Sequence, residues 1–380
     1  MNRKNLFLSF LLSSILLTSC GSKKDNSPSN SSGGGETSVS PDTKYTMTPR
    51  ILSSISNINF NSILSINDDG IYTVAHNQSF YFYKNNEPLK LIYGQTFPLM
   101  NISSNGSTTC ETYMYINTQR PRSACYGKNN HFQLGNGSNL DSTIPTIIGQ
   151  TEFEFEQIVV SKNDLVCGES NGSIYCWGKN AIKDGEILKD AMFPVEIENL
   201  KDRIDNVSEI PQISVGDNYV CYITRDTKIN GVWCSNIYSP THSSSPIMYG
   251  NFNAISSDGS HTCALDSEGY AWCMGTNKFG ELGDGSNIDS EKPVRVKIVS
   301  NFKSISVSES TTCGLTTNNE AWCWGKNNES QIGNGILESS NIPIKVKNIN
   351  YLSSIKVSEH RTCAIDINSK IWCWGKGEWN

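Results

Sequence analysis

Histidine is scarce in this chain of 380 residues: there are five, scattered along it and outside the clustered Cys/His spacings that hold zinc. Metal ligation is therefore not expected, and nothing in the chain calls for a cofactor. His-Glu-x-x-His and the Gly-x-x-x-x-Gly-Lys-Ser/Thr phosphate loop are missing, and no nucleophile elbow is read. A basic excess is missing as well. The formal charge is -6 with the Lys and Arg dispersed, which argues against a nucleic-acid partner. The apolar run at the start, Leu6 to Leu17, is too short to cross a bilayer comfortably. These absences disfavour an enzyme and leave a non-catalytic protein as the expectation.

What is present begins with export. Arg3 and Lys4 precede the apolar run, and Cys20 closes it. Leu17-Thr18-Ser19-Cys20 resembles the lipobox of bacterial lipoproteins, which implies a signal peptide over 1–19 and a lipid-carrying (diacylglyceryl, palmitate-type) mature first residue at Cys20. Cleavage would remove two cations and no acid, moving the charge to -8. Residues 20–44 are rich in Ser, Gly and Asn with almost nothing apolar, so they read as a flexible tether. Gly21 and Ser22 follow the cysteine without an Asp, and the resemblance then implies the outer membrane as the destination.

Twelve of the thirteen cysteines remain after Cys20, an even number suited to an oxidising compartment. They fall in order as Cys110/Cys125, Cys167/Cys176, Cys221/Cys234, Cys263/Cys273, Cys313/Cys323 and Cys363/Cys373. The last three pairs sit in near-copies of one segment about fifty residues long, a period of solenoids and propellers. Within a copy the two cysteines bracket a short polar stretch, such as Asp266-Ser267-Glu268-Gly269, between strand-forming residues. That pattern reads as a β-hairpin with the cysteines facing each other, so pairing within each repeat is the economical expectation. Bridged sulfurs do not act as nucleophiles.

Strand alternation in Trp322-Cys323-Trp324 puts both tryptophans on one face and the cysteine on the other. Small Gly314, Ala264 and Ala364 sit on the tryptophan side of the partner strand. Apolar groups on both faces describe a strand covered on both sides, as in a propeller blade. Trp322, Trp324, Trp372 and Trp374 are accordingly read as packing between blades.

The residues that repeat, Ser260-His261-Thr262-Cys263-Ala264-Leu265, Asn277 to Gly285 and Pro293-Val294-Arg295-Val296, resemble the regulator of chromosome condensation repeat family. Asn129 to Gly137 and Asn327 to Gly335 repeat its Gly-rich turn, whereas the copies with Cys167 and Cys221 lack it. A cysteine-free copy precedes the first pair, with Ile71 and Tyr81 standing where the cystine would be. Copies thus begin near Ile51, Ile102, Phe153, Asn206, Asn251, Asn301 and Tyr351. The resemblance implies an all-β, seven-bladed β-propeller of four-stranded blades over 45–380. Thr48-Pro49-Arg50-Ile51 resembles the Pro-containing strand that the seventh copy lacks, so the N-terminal strand is expected to complete the last blade and close the ring. The family's founder binds chromatin and acts on a small GTPase, and a secreted bacterial type binds and inhibits a β-lactamase. An acidic, exported chain fits only the second kind of role.

Function is expected where the chain departs from its repeat. Two hairpins are lengthened: Glu111 to Ala124, with Tyr113, Tyr115, Arg120 and Arg122, and Thr224 to Gly231, with Arg225 and Lys228. Tyr and Arg are common at binding hot spots. The expectation is a monomeric, membrane-tethered module that binds a protein or an extracellular polymer. Two alternatives remain open: an envelope enzyme with acids from several blades at the channel mouth, and a structural envelope component. Calcium at Asp284 to Asp289 or Asn136 to Asp141 is a lesser reading than plain turn chemistry.

Overall fold

The computed structural model describes residues 45–51, 60–66, 71–75, 80–83, 90–93, 99–115, 120–149, 153–184, 187–199, 212–217, 219–224, 230–237, 246–259, 261–297 and 301–376. The chain divides into two units, Met1–Pro41 and Asp42–Asn380. Cys20 and the segments expected to be a signal peptide and a tether, 1–19 and 20–44, all lie outside the described residues.

Every described element is a strand, because alternating apolar positions broken by Gly, Asn and Ser turns suit no helix. In chain order they are β1 (Tyr45–Ile51), β2 (Phe60–Ile66), β3 (Ile71–Ala75), β4 (Phe80–Tyr83), β5 (Lys90–Tyr93), β6 (Leu99–Ser104), β7 (Thr108–Tyr115), β8 (Arg120–Gly127), β9 (Ser142–Ile147), β10 (Gln157–Val160), β11 (Leu165–Ser170), β12 (Ser173–Asp184), β13 (Ile187–Asn199) and β14 (Ile213–Val215). They continue as β15 (Tyr219–Thr224), β16 (Gly231–Asn236), β17 (Met248–Tyr249), β18 (Phe252–Asp258), β19 (His261–Asp266), β20 (Ala271–Gly275), β21 (Ser290–Arg295), β22 (Phe302–Ser308), β23 (Thr311–Thr316), β24 (Ala321–Gly325), β25 (Ser340–Lys345), β26 (Leu352–Val357), β27 (Arg361–Asp366) and β28 (Ile371–Lys376). They form antiparallel sheets of consecutive strands, β2 to β5, β6 to β9, β10 to β13, β14 to β17, β18 to β21 and β22 to β25, while β26 to β28 take β1 onto their outer edge. The β1–β28 pairing sets Tyr45 against Lys376 and Ile51 against Trp372. Each sheet's first strand touches the first strand of the next, and β26 touches β2.

The all-β propeller class therefore holds, but the expectation of a seven-bladed β-propeller of four-stranded blades is corrected. The cystine blades number six, and they have three to four full strands: β17 is a two-residue pairing of Gly231 and Val232 with Tyr249 and Met248. The sheet β2 to β5 has no cystine, and its register differs from the expected one. Tyr81 faces buried Thr73, whereas Ile71 faces Tyr83, so Thr73 and not Ile71 holds the cysteine position. Without a cysteine to anchor it, a two-residue slip keeps the same side chains on the same faces and goes unseen in the sequence.

All six cystines close within a blade: Cys110–Cys125, Cys167–Cys176, Cys221–Cys234, Cys263–Cys273, Cys313–Cys323 and Cys363–Cys373. Each joins directly opposed residues of the second and third strands, with Cα atoms 4.0 to 4.2 Å apart. The small residue beside the cysteine has a packing reason: a Cβ on Gly314 would stand 2.4 Å from the Phe302 ring. Where two tryptophans flank a cysteine, as at Trp322/Trp324 and Trp372/Trp374, they share a face and yet differ in burial. Trp177, Trp324 and Trp374 are fully buried, and each Nε1–H donates to a backbone carbonyl of the preceding blade's Gly-rich turn, at Gln133, Glu281 and Gln331. Trp272 and Trp372 are half-buried and donate to Asp266 and Asp366 of their own hairpins.

Candidate functional site

Antiparallel order places the turns between second and third strands at one end of every blade, and the first-to-second and third-to-fourth turns at the other. Both lengthened hairpins are of the first kind, so they share an end, with the Cys167 blade between them. Across β7 and β8, Tyr113 faces Arg122 and Tyr115 faces Arg120. Arg120 is exposed and bonds Glu154 at 3.0 Å, Arg122 is exposed, and Tyr113 is half-buried. Arg225 and Lys228 lie outside the described residues.

The cysteines singled out in the sequence belong to the scaffold and not to any accessible site. Cys125, Cys176 and Cys373 are fully buried, as are their partners Cys110, Cys167 and Cys363, and the same holds for Cys221, Cys263, Cys273, Cys313 and Cys323. Cys234 is half-buried and bridged to Cys221. A sulfur held in a cystine and shielded from solvent neither meets a ligand nor ionises to a thiolate. The physical cause of the burial is the strand's own alternation, which turns each cystine into the gap between blades opposite its tryptophans.

Beside the second hairpin is a groove that sequence reasoning missed. Asn230, at the hairpin's base, accepts a bond from Gly250 N–H through its carbonyl and donates one to Asn251 Oδ1 at 2.7 Å. Tyr249, Asn251, Tyr270, Trp272, Lys292 and Arg295 are among the residues around a cavity of about 800 Å³ there. The two-residue β17 lies along it, so the groove opens where that blade's outer strand is cut short.

At the opposite end the inner-strand loops carry acids around a cavity of about 190 Å³ walled by Val160, Val215, Val307 and Val357. Lys162 ties Glu309, at 2.7 Å, and Glu359 in ion pairs, and Asn163 Nδ2 donates to Asp217 at 2.8 Å. Burial would lower the Lys162 ammonium, but its bonds to Glu309 and Glu359 hold it above the usual lysine range. Asp258 accepts the backbone N–H groups of Gly259 and Glu309, and burial pushes it up to about 6. The acids of the enzyme reading do gather here, but two are ion-paired to one lysine. Among the described residues there is no cluster of His, Cys, Asp and Glu fit for a metal. Asp284 caps its own turn, bonding Ser286, and Asp141 bonds Lys128 and Asn129 N–H.

Against the expectation of no nucleophile elbow, Gly168-Glu169-Ser170-Asn171-Gly172 fits that pattern in spelling. It is a hairpin, with Ser170 opposite Ser173 and buried, so the strand-to-helix turn that exposes such a serine is missing there.

Burial shifts further groups and sets a pH dependence. Glu111, beside Cys110, is pushed up to about 7, and His261, packed among Thr312 and its neighbours, is lowered to about 4. A raised carboxylate binds its proton more tightly when folded, so Glu111 and Asp258 add stability as pH falls through about 7 and about 6. The lowered histidine removes stability as pH falls below its ordinary value near 6.5 toward 4. Buried Lys356, also lowered, acts in the same sense as His261, so the sign is assigned to Glu111 alone, which favours the fold more at pH 5 than at pH 8. Denaturant midpoints of the wild type and Glu111→Gln at the two pH values check this: on going from pH 8 to pH 5 the variant should gain less, or lose more, than the wild type, and an equal change in both would count against it.

The family model described as Regulator of chromosome condensation (RCC1) repeat matches residues 268–315 and 318–365, and a second model of that description matches 254–281 and 302–331. The ultraviolet-B receptor UVR8 of Arabidopsis thaliana is 24% identical over 182 residues, 45% of this chain and 41% of that protein, so the chain spans about two fifths of that relative's length. Prp20p from Saccharomyces cerevisiae aligns over 74% of this chain and 73% of its own, with a TM-score of 0.59 and 17% identity. Human WBSCR16 aligns over 85% and 88%, with a TM-score of 0.62 and 13% identity. Likeness at such identities shows a shared fold. The blades within residues 254–365 are thus built from regulator of chromosome condensation repeats.

Proposed function

We propose that this protein is a binding module, tethered to the cell envelope through Cys20 and engaging a protein or extracellular polymer with the hairpin end of its blades. The observation that carries the reading is the concentration of irregular features at that end: two lengthened hairpins, Tyr and Arg facing each other across β7 and β8, and a groove against the second hairpin. Regular blades supply a scaffold, and departures from regularity supply specificity. The fold relative Prp20p has binding properties toward Gsp1p and histones, which supports use of such a ring for protein contacts. Buried cystines suit an oxidising compartment, in keeping with export.

The test is capture from the native organism's surface and surroundings on the full chain, beside a variant with both hairpins shortened to ordinary turns. A partner held by the first and lost by the second is the expected result; one retained equally by both would place binding elsewhere. In the same cells Cys20→Ser should move the protein from the membrane fraction to the soluble one, and an unchanged distribution would remove the tether.

A further inference from the structure

We infer that the groove beside β17 is a binding site for an uncharged saccharide. The inference rests on the binding-module reading and names the ligand class for part of that hairpin end.

The groove has the size of a small-molecule site, about 800 Å³ against the usual range of roughly 300–1,000 Å³. Its lining is rich in aromatic rings: Tyr249, 71% exposed, half-buried Tyr270 and Trp272, and buried Phe252, with buried Met248 beside them. Trp272 is fixed in place, because its Nε1–H is bonded to Asp266 Oδ2 at 2.9 Å while Asp266 Oδ1 takes the backbone N–H groups of Glu268 and Tyr270. Tyr270 is fixed by the Arg295 guanidinium, 3.8 Å from its ring centre. Preset rings lose little freedom on binding.

The charges cancel. Lys292 and Arg295 stand against Asp266 and Glu268, so an anionic or cationic ligand gains no net Coulomb attraction. What remains is apolar ring surface together with planar polar groups, the amide of Asn251, the carboxylate of Glu268 and the guanidinium of Arg295. Sugar rings present C–H faces to the former and pairs of hydroxyls to the latter.

The following blade differs at this position. There Trp322 faces Lys345, as Trp272 faces Arg295, and the place of Tyr270 is taken by Glu320, which bonds Lys345 at 2.6 Å. An ion pair occupies the cross-strand site in one blade, and an aromatic wall occupies it in the other.

The experiment applies neutral tri- to hexasaccharides of glucose, mannose and N-acetylglucosamine to the full chain, with sialylated and sulfated oligosaccharides and a random peptide mixture as comparators, read by glycan array and titration calorimetry. Binding of a neutral oligosaccharide is expected, with quenching of tryptophan fluorescence. Tyr270→Glu copies the Glu320–Lys345 pairing and so preserves the fold, and it should weaken that binding at least tenfold without lowering Tm. Binding of charged sugars alone, of peptides alone, of no saccharide, or with undiminished strength in Tyr270→Glu would each overturn the inference. A captured partner that still depends on the hairpins would leave the broader binding reading standing in any of those cases.

Discussion

Reduction of all six cystines under native conditions is expected to unfold the cystine blades. Each closes a loop of 9 to 15 residues, for which the chain-entropy estimate is about 3 kcal/mol. Six such terms together exceed the roughly 5–15 kcal/mol that separates a folded domain from its unfolded chain. Reduction should also be ordered. Cys234 is half-buried while the other eleven sulfurs are in buried residues, so the Cys221–Cys234 bridge is expected to open first, and bridges such as Cys110–Cys125, Cys167–Cys176 and Cys363–Cys373 later; mass mapping of alkylated peptides would show the order. A single bridge can be tested alone: Cys263→Ser with Cys273→Ser should lower stability by about 3 kcal/mol. Native tryptophan fluorescence with all twelve thiols alkylated would refute this account of what holds the blades.

The second large effect concerns the joints between blades. Trp374→Ala is expected to destabilise by about 3–5 kcal/mol, the range for emptying a fully buried tryptophan site. The loss is more than apolar area. Its Nε1–H donates to Gln331 O at 2.7 Å, and Thr362 Oγ1 donates to the same carbonyl at 2.8 Å, so two side chains of one blade clamp the turn of the blade before. Gly333 completes the joint: its φ is 71°, and a Cβ would stand 2.6 Å from Trp374 Nε1. Gly333→Ala should therefore approach the effect of Trp374→Ala, through strain in place of a cavity. Trp372→Ala, at a half-buried ring bonded within its own hairpin, should cost clearly less. Equal losses for Trp372→Ala and Trp374→Ala in denaturant titrations would show that the interblade bond is not what distinguishes them.

Legibility in the sequence followed range. The cystine pairings were readable because each pair is joined by one short hairpin whose turn sets the register. The tryptophan face was readable for the same reason. The inequality of the two tryptophans was not, because Trp374 is bonded to a turn 43 residues earlier in the chain, whereas Trp372 is bonded to Asp366 of its own hairpin. The same holds for Lys162, which meets Glu309 across 147 residues and Glu359 across 197. Tyr113, Arg120 and Arg122 could be singled out as departures from the repeat, and their pairing across β7 and β8 follows from that hairpin alone. Tyr249, Tyr270 and Arg295 carry no local signal, since each is an ordinary residue for its strand.

By itself the sequence determined the propeller class, the compartment suggested by cystines, and which residues face each other across every cystine hairpin. Those properties depend on strand alternation and on turns of a few residues, both written in the local pattern. Only the tertiary structure decided the register of the cystine-free sheet, that the cystine blades have three to four full strands, that Lys162 ties Glu309 and Glu359 together, and that a two-residue outer strand lies along an aromatic groove. These depend on which blade stands beside which, and the packing of neighbours distant in the chain sets them.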